Sequence, residues 1–305
     1  MEALLETAVR LAAPLLLAAL GELIVERSGV INIGIEGMML VGAFAAFAVA
    51  VATGSPMAGA LAGALAGTLL GALFATFSVL RRADQIVVGT ALNLLALGGT
   101  GLAMRALFAG AVPAAVGVRE IAVPWLGSLP WLGPVLFRQS LFVYAALALA
   151  LAAALFLART RAGLRLRAVG EMARAADAEG VSVGRTRFLA VLVGAAAAGL
   201  AGSVLTLSHS NVFTEGMTAG RGFIALVIVI FGRWRAGGVV LAALFFGFAS
   251  ALQFRLQARG FDLPYPAFLM FPYLVTLLVL TLSSGGTRAP ADLGRPYRRE
   301  GDAMR

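Results

Sequence analysis

The stretch MAGALAGALAGTLLGALFATFSVLRR, Met57 to Arg82, runs 24 residues without a charge before its two arginines. A helix of that length covers about 36 Å, more than the roughly 30 Å of hydrocarbon in a bilayer. The run is continuous rather than alternating, which selects a spanning helix over a barrel strand. Gly59, Gly63, Gly67 and Gly71 recur every four residues. They lay a smooth ridge along one helix face, where a second helix can approach closely. Arg81 and Arg82 then mark a turn on the cytoplasmic side, where short loops collect arginine.

Outward from this segment the same pattern repeats. Apolar runs extend from Leu5 to Ile24, Gly37 to Ala52, Ile86 to Phe108, Ser140 to Ala158, Phe188 to Leu207, Gly222 to Phe231, Gly237 to Phe254 and Pro264 to Leu282. With Met57 to Leu80 these are nine candidates. The Gly222 run is short enough to be a broken or re-entrant element, and Glu26 to Glu36 is long enough to hide another. The expected fold is therefore all-α, a polytopic bundle of 8–10 spans over residues 1–282, with a cytoplasmic tail at 283–305. Composition agrees: 60% of residues are hydrophobic and 13% charged, and the mean hydropathy is +0.93. Soluble domains need far more polar surface. Gly194, Ala198 and Gly202 form a second small-residue strip. The N-terminal run, with Glu2 and Glu6 ahead of Arg10, reads as an uncleaved first helix rather than a signal peptide.

Arginine placement orients the bundle. With the Arg81–Arg82 turn inside, the inner loops and tail hold 16 arginines and the outer side 6, Arg10 and Arg27 being left unassigned. This clustering explains the net charge of +9 without a nucleic-acid partner. Cysteine is absent, histidine occurs once, and no lysine is present. Thiolate or multi-histidine metal sites are excluded, and a P-loop lacks its phosphate-binding lysine.

The longest charged stretch between spans is RTRAGLRLRAVGEMARAADAEGVSVGRTR, Arg159 to Arg187. Residues Arg167 to Glu179 are helix-capable, with Gly170 ahead and Gly180 as the stop. This element is either a solvated positive loop or an amphipathic helix that inserts into a soluble partner. Within the spans, polar groups are costly and tend to face protein or a water-filled path. Asn93 sits in mid-helix, as a solute contact or an interhelical clamp. Asn32 and Glu36 lie in SGVINIGIEGMM, where glycines permit a broken helix. Glu36 either accepts backbone N–H bonds at that break or meets solute, and Arg27 is its candidate ion partner. Glu22 and Glu26 are expected at the interface, Arg105 to snorkel outward, and His209 to occupy an exposed outer loop. Glu215 and Arg221, in that loop, are solvated charges or a docking point.

Five blocks together resemble the permeases of the ribose, branched-chain amino acid and nucleoside branch of bacterial ATP-driven (ABC) importers. They are RAVGEMARAADAEGVSV (167–183), GELIVERSGVINIGIEGMMLVGAF (21–44), DQIVVGTALNLLALG (84–98), GRGFIALVIVIFGRWRAGGVVLAALFFGF (220–248) and ADLGRPYRRE (291–300). The last four resemble the nucleoside-type members; Val193 departs from the pattern, where a small polar residue is expected. The resemblance implies a multi-pass subunit of the cytoplasmic (inner) membrane that is not itself an enzyme. Its coupling loop, at about 159–187, would dock on a separate ATPase through Arg167, Gly170, Glu171, Ala175, Ala176 and Gly180. Asn32, Glu36 and Asn93 would border the solute path. ATP and Mg would bind the ATPase partner, with no cofactor on this chain. A second homologous permease and an extracytoplasmic solute-binding lipoprotein complete the expected partners, with membrane lipid around them. The solute is expected to be a nucleoside, with a sugar or a branched-chain amino acid as the alternative. An ion-driven secondary transporter is a third reading, for which Glu36 is the one candidate relay.

Overall fold

The computed structural model describes residues 1–108, 113–128, 130, 133–258, 270, 274, 277, 281 and 289–298. Helices dominate: α1 (Glu2–Arg27), α2 (Ile35–Thr53), α3 (Pro56–Ala75), α4 (Gln85–Phe108), α5 (Leu141–Arg159), α6 (Arg161–Glu171), α7 (Ala173–Ala178), α8 (Val183–Val204), α9 (Arg221–Phe231) and α10 (Ala236–Ala258). Helices α3 and α8 run on through π-helical turns at Thr76–Leu80 and Leu205–Ser210. A two-stranded antiparallel ribbon, β1 (Glu120–Ala122) with β2 (Arg138–Ser140), lies between α4 and α5. Among the described residues seven helices are long and apolar enough to span a membrane, and α9 is a shorter apolar helix. Eight of the nine expected segments are thus helices. The ninth, Pro264 to Leu282, lies outside the described residues apart from four scattered positions.

Helices α1, α2, α3 and α8 form the centre. From Ala12 to Glu26 every residue of α1 is buried. Small residues make this density possible, because lipid tails are as apolar as leucine and helix association in a bilayer rests on close packing. All four ridge glycines of α3 are buried. A Cβ at Gly67 would lie 2.5 Å from the Ala195 carbonyl oxygen of α8, and one at Gly59 2.6 Å from the Ala46 carbonyl oxygen of α2. Helix α8 meets three neighbours through three glycines: Gly194 faces Val25 of α1, Gly199 faces Gly63 of α3, and Gly202 faces the Met39 carbonyl oxygen of α2. Both glycine strips read from the sequence are packing surfaces.

The unassigned arginines find their ends. Arg27 sits beside Glu171 at the arginine-rich end, with N···O 3.6 Å. Arg10 pairs with Glu6 and with Glu120 of the β ribbon, both at 2.6 Å, at the opposite end. The N-terminal end of α1 therefore lies on the side expected to be outer. His209 is exposed as expected but lies within the π-helical turn that extends α8 rather than in a loop, and its Nε2 is 3.3 Å from the Arg10 carbonyl oxygen.

Replacing Gly202 by valine should cost about 3 kcal/mol or more, since backbone must move to admit the side chain. Gly184→Ala, where a Cβ meets nothing within 4 Å, should leave stability unchanged. Thermal unfolding of the detergent-solubilised variants checks both.

Candidate translocation hinge and coupling elbow

Between α1 and α2 the chain leaves the helix at Ser28 and resumes it at Ile35. Ser28, Gly29, Val30 and Asn32 are nevertheless buried. A non-helical segment inside a membrane protein needs other partners for its N–H and C=O groups, and here side chains supply them. Gln85 Oε1 accepts from Ile31 N–H at 2.8 Å. Glu22 Oε1 accepts from Asn32 N–H at 3.0 Å. Asn93 bridges the break: its Oδ1 accepts from Gly37 N–H at 2.8 Å, and its Nδ2 donates to the Ile33 carbonyl at 2.9 Å.

A second break faces the first. The chain leaves the π-helical turn at Asn211, passes through tight turns, and starts α9 at Arg221. With 11 residues, α9 spans about 16 Å, roughly half the hydrocarbon thickness. Its far end meets the Arg233–Arg235 turn, so its N-terminus lies about half a hydrocarbon thickness from that turn. There Glu36 Oε1 accepts from Gly220 N–H at 2.8 Å and Oε2 from Gly222 N–H at 2.7 Å. A carboxylate on the orphan donors of a helix N-terminus is favoured by hydrogen bonding and by the helix dipole. Each charged hydrogen bond contributes about 1.5–3 kcal/mol and the dipole up to about 2. Together they offset the several kcal/mol that burying a carboxylate costs.

Asn93 and Glu36 are thus brought together at facing helix breaks. Asn93 is the clamp of the two alternatives read from the sequence. Asn32 is fully buried, its Nδ2 3.2 Å from Met38 Sδ and its Oδ1 without a partner among the described residues. Arg27 is not the partner of Glu36. Its guanidinium donates twice to the Trp234 carbonyl, at 2.9 and 2.7 Å, and leans toward Glu171. Nor are Glu22 and Glu26 interfacial. Both are buried, because the end of α1 is wrapped by the 28–34 segment and by the α9–α10 turn, and Trp234 donates its indole N–H to Glu26 at 2.5 Å. Arg105 is exposed as expected and faces Glu215 at 3.6 Å.

The charged loop is a helical elbow. Thr160 accepts from Gly163 N–H at 2.9 Å and caps α6. The helix starts at Arg161, earlier than expected, and Gly170 lies inside it. The break comes at Met172 (φ −155°, ψ 87°), α7 follows, and Gly180 (φ +80°) ends the motif as expected. Gly170 is needed for close approach, since a Cβ there would strike the Arg27 carbonyl. Ala176 is buried with Val169, Ala173 and Val183 against Tyr297. Ala175 is exposed and Arg167 half-buried. Leu164 and Met172 are 60% and 62% exposed. Ala168 and Ala175 are also exposed, so the elbow presents apolar side chains outward on both sides of the Met172 break. A cavity of about 840 Å³ opens between α5, α6 and α8. Asn32, Glu36 and Asn93 do not line it.

Sequence reasoning missed the role of the tail. Residues 289–298 are irregular, as expected, but seated. Asp292 Oδ2 accepts from Ala173 N–H at 2.7 Å, and Asp292 N–H donates to the Gly170 carbonyl at 2.9 Å. Arg187 donates to the carbonyls of Ser28 and Arg295, at 3.1 and 2.7 Å. The signal available was Asp292 itself, an N-cap residue type ahead of a glycine.

Comparison with known proteins fits this geometry. Residues 4–280 match the family described as "Branched-chain amino acid transport system / permease component". The guanosine ABC transporter permease protein NupQ of Bacillus subtilis is 38% identical, over 94% of this chain and 93% of that protein. The nucleoside ABC transporter permease protein NupC of Lactococcus lactis is 34% identical over 93% of each. The "Putative glucose ABC transporter permease protein TsgC13" of Haloferax volcanii is 37% identical over 98% of each. No solved structure matches the chain. Spanning helices, facing breaks and this match over most of the chain agree: it belongs to the branched-chain amino acid transport system permease family, as a multi-pass permease subunit of an ABC transporter in the cytoplasmic membrane.

Proposed function

We propose that this chain imports nucleosides by alternating access, driven by a separate ATPase that grips the α6–α7 elbow. The observation that carries the reading is the direct tie between the elbow and the broken α1–α2 segment. Glu171 faces Arg27 at one end of that segment, and Asn93 and Glu36 clamp the other. A tilt of the elbow would reach the mid-membrane hinge through backbone, and the hinge would change which side is open. The exposed Leu164, Ala168, Met172 and Ala175 would contact the ATPase. Arg167, Gly170, Glu171, Ala176 and Gly180 would shape the elbow behind it.

ATP and Mg would bind the ATPase, not this chain. A second homologous permease would complete the path, and an extracytoplasmic lipoprotein would deliver solute. Nucleoside is favoured by the names of NupQ and NupC and by a hinge in which amide and backbone groups outnumber charges. Glucose is the second reading, on the name of TsgC13. Ion-driven transport gains no support from Glu36, whose two oxygens are both engaged in holding α9.

Three outcomes are expected. In proteoliposomes holding the full complex, ATP-dependent uptake of radiolabelled guanosine should be competed by other nucleosides and not by glucose or leucine; competition by glucose alone would assign the sugar reading. Met172→Glu, at an exposed position, should leave the fold intact and weaken co-purification with the ATPase by about tenfold or more, the loss of at least 1.4 kcal/mol of apolar contact. Glu36→Gln keeps one acceptor and orphans one N–H of α9, so thermal stability in detergent should fall by about 1–3 kcal/mol, with uptake falling alongside.

A further inference from the structure

The tail touches both halves of the apparatus, and its contacts are specific. Asp292 occupies the N-terminus of α7: its side chain takes the Ala173 N–H while its backbone N–H reaches the Gly170 carbonyl of α6. One residue thus holds the two arms of the elbow across the Met172 break. Two residues on, Gly294 N–H donates to the Gly29 carbonyl at 3.0 Å, at the start of the broken α1–α2 segment. Gly294 has φ +74°, a conformation that favours glycine and turns the chain between these contacts. Arg187, 3% exposed at the base of α8, ties the Ser28 carbonyl to the Arg295 carbonyl. Tyr297 packs on the small apolar cluster of Val169, Ala173, Ala176 and Val183. The elbow's own ion pair to α1, Arg27 with Glu171, is long and partly exposed at 3.6 Å. Such pairs contribute little; beside the close approach of Gly170 to the Arg27 carbonyl, the hydrogen-bonded connection runs through the tail.

We propose that residues 290–297 are a clasp that transmits elbow motion to the membrane hinge, with Asp292 as its positioning residue. The clasp rests on the reading of α6–α7 as the ATPase-gripping elbow and adds the element that makes this grip effective. Asp292 fixes the angle between α6 and α7. Gly294 and Arg187 fix that angled unit to Ser28 and Gly29. From Gly29 the chain runs directly to Ile33, whose carbonyl Asn93 holds. Without the clasp the ATPase still binds and cycles, but α6–α7 flexes at Met172 and the stroke is spent in the loop.

The test uses the complete complex in proteoliposomes, measuring ATP hydrolysis, radiolabelled guanosine uptake and retention of the ATPase on the purified permease. Asp292→Ala should keep ATPase retention and hydrolysis within about twofold of wild type while uptake per ATP falls about tenfold. Asp292→Asn should restore most of the uptake, because its amide oxygen still accepts the Ala173 N–H. Gly294→Val, which strains the turn without touching α7, should reproduce the alanine phenotype. The clasp is overturned if alanine leaves uptake per ATP unchanged, if asparagine fails like alanine, or if alanine releases the ATPase so that hydrolysis and uptake fall together. A wild-type permease that retains no ATPase would instead sink the elbow reading itself, a separate result.

Discussion

A backbone amide or carbonyl left bare in hydrocarbon costs several kcal/mol, and the irregular parts of this protein are arranged around that cost. The chain breaks its helices twice, at 28–34 and at 211–220, and the parts of each break that lie within the protein need partners for their backbone. Each break survives because a side chain from elsewhere completes the hydrogen bonding. Asn93 does so for the Ile33 carbonyl and Gly37 N–H, Glu36 for Gly220 and Gly222, and Gln85 and Glu22 for Ile31 and Asn32. Remove these four and the breaks become unsatisfied polar backbone. Keep them and the protein holds two helix breaks braced from the side, which a continuous helix would lack.

The same constraint separates roles among the polar residues. Those with both ends engaged, Asn93 and Glu36, hold the joints. Asn32 and Glu22 each keep an oxygen without a partner among the described residues, in a fully buried position. At the arginine-rich end of α1 the chemistry changes. Arg27 and Arg187 both donate to backbone carbonyls, those of Trp234, Ser28 and Arg295. Arginine suits this work, with several donors in a fixed fork on a stem that packs against apolar neighbours. At the α9–α10 turn Arg233 and Trp234 both take φ of +52°, a geometry that costs each about 1–2 kcal/mol. The turn holds it because Trp234 is anchored twice, by indole to Glu26 and by carbonyl to Arg27.

What the sequence made legible follows from what is local. Apolar runs of spanning length, the glycine ridges and the arginine bias each concern a few neighbouring residues, and all reappear in the helices and their packing. The short Gly222 run and the Glu26–Glu36 stretch stood out as broken elements for the same reason. Pairings across long sequence distance were not legible. Asn93 and Gly37 are 56 positions apart, Glu36 and Gly220 184, and no local pattern marks either as a pair. Glu22 and Glu26 were misread because a carboxylate near a helix end looks solvated until the elements that wrap it are known. The start of the elbow helix was misplaced because Gly170 resembles a boundary, whereas its missing side chain admits the Arg27 carbonyl in mid-helix.

The tail shows how far a purely local reading falls short. ADLGRPYR has the proline, glycine and arginine content of an extension that does nothing, and its backbone is in fact irregular. Irregular backbone is, however, what allows one short segment to meet three elements of different direction. A helix presents its N–H groups to itself, whereas this segment spends them on Gly170 and Gly29. Regularity is therefore a poor guide to how many elements a segment joins here. The spans make up most of the chain, and the segments that escape helical bonding, at both breaks and in the tail, are the parts with hydrogen bonds to spare for joining one element to another.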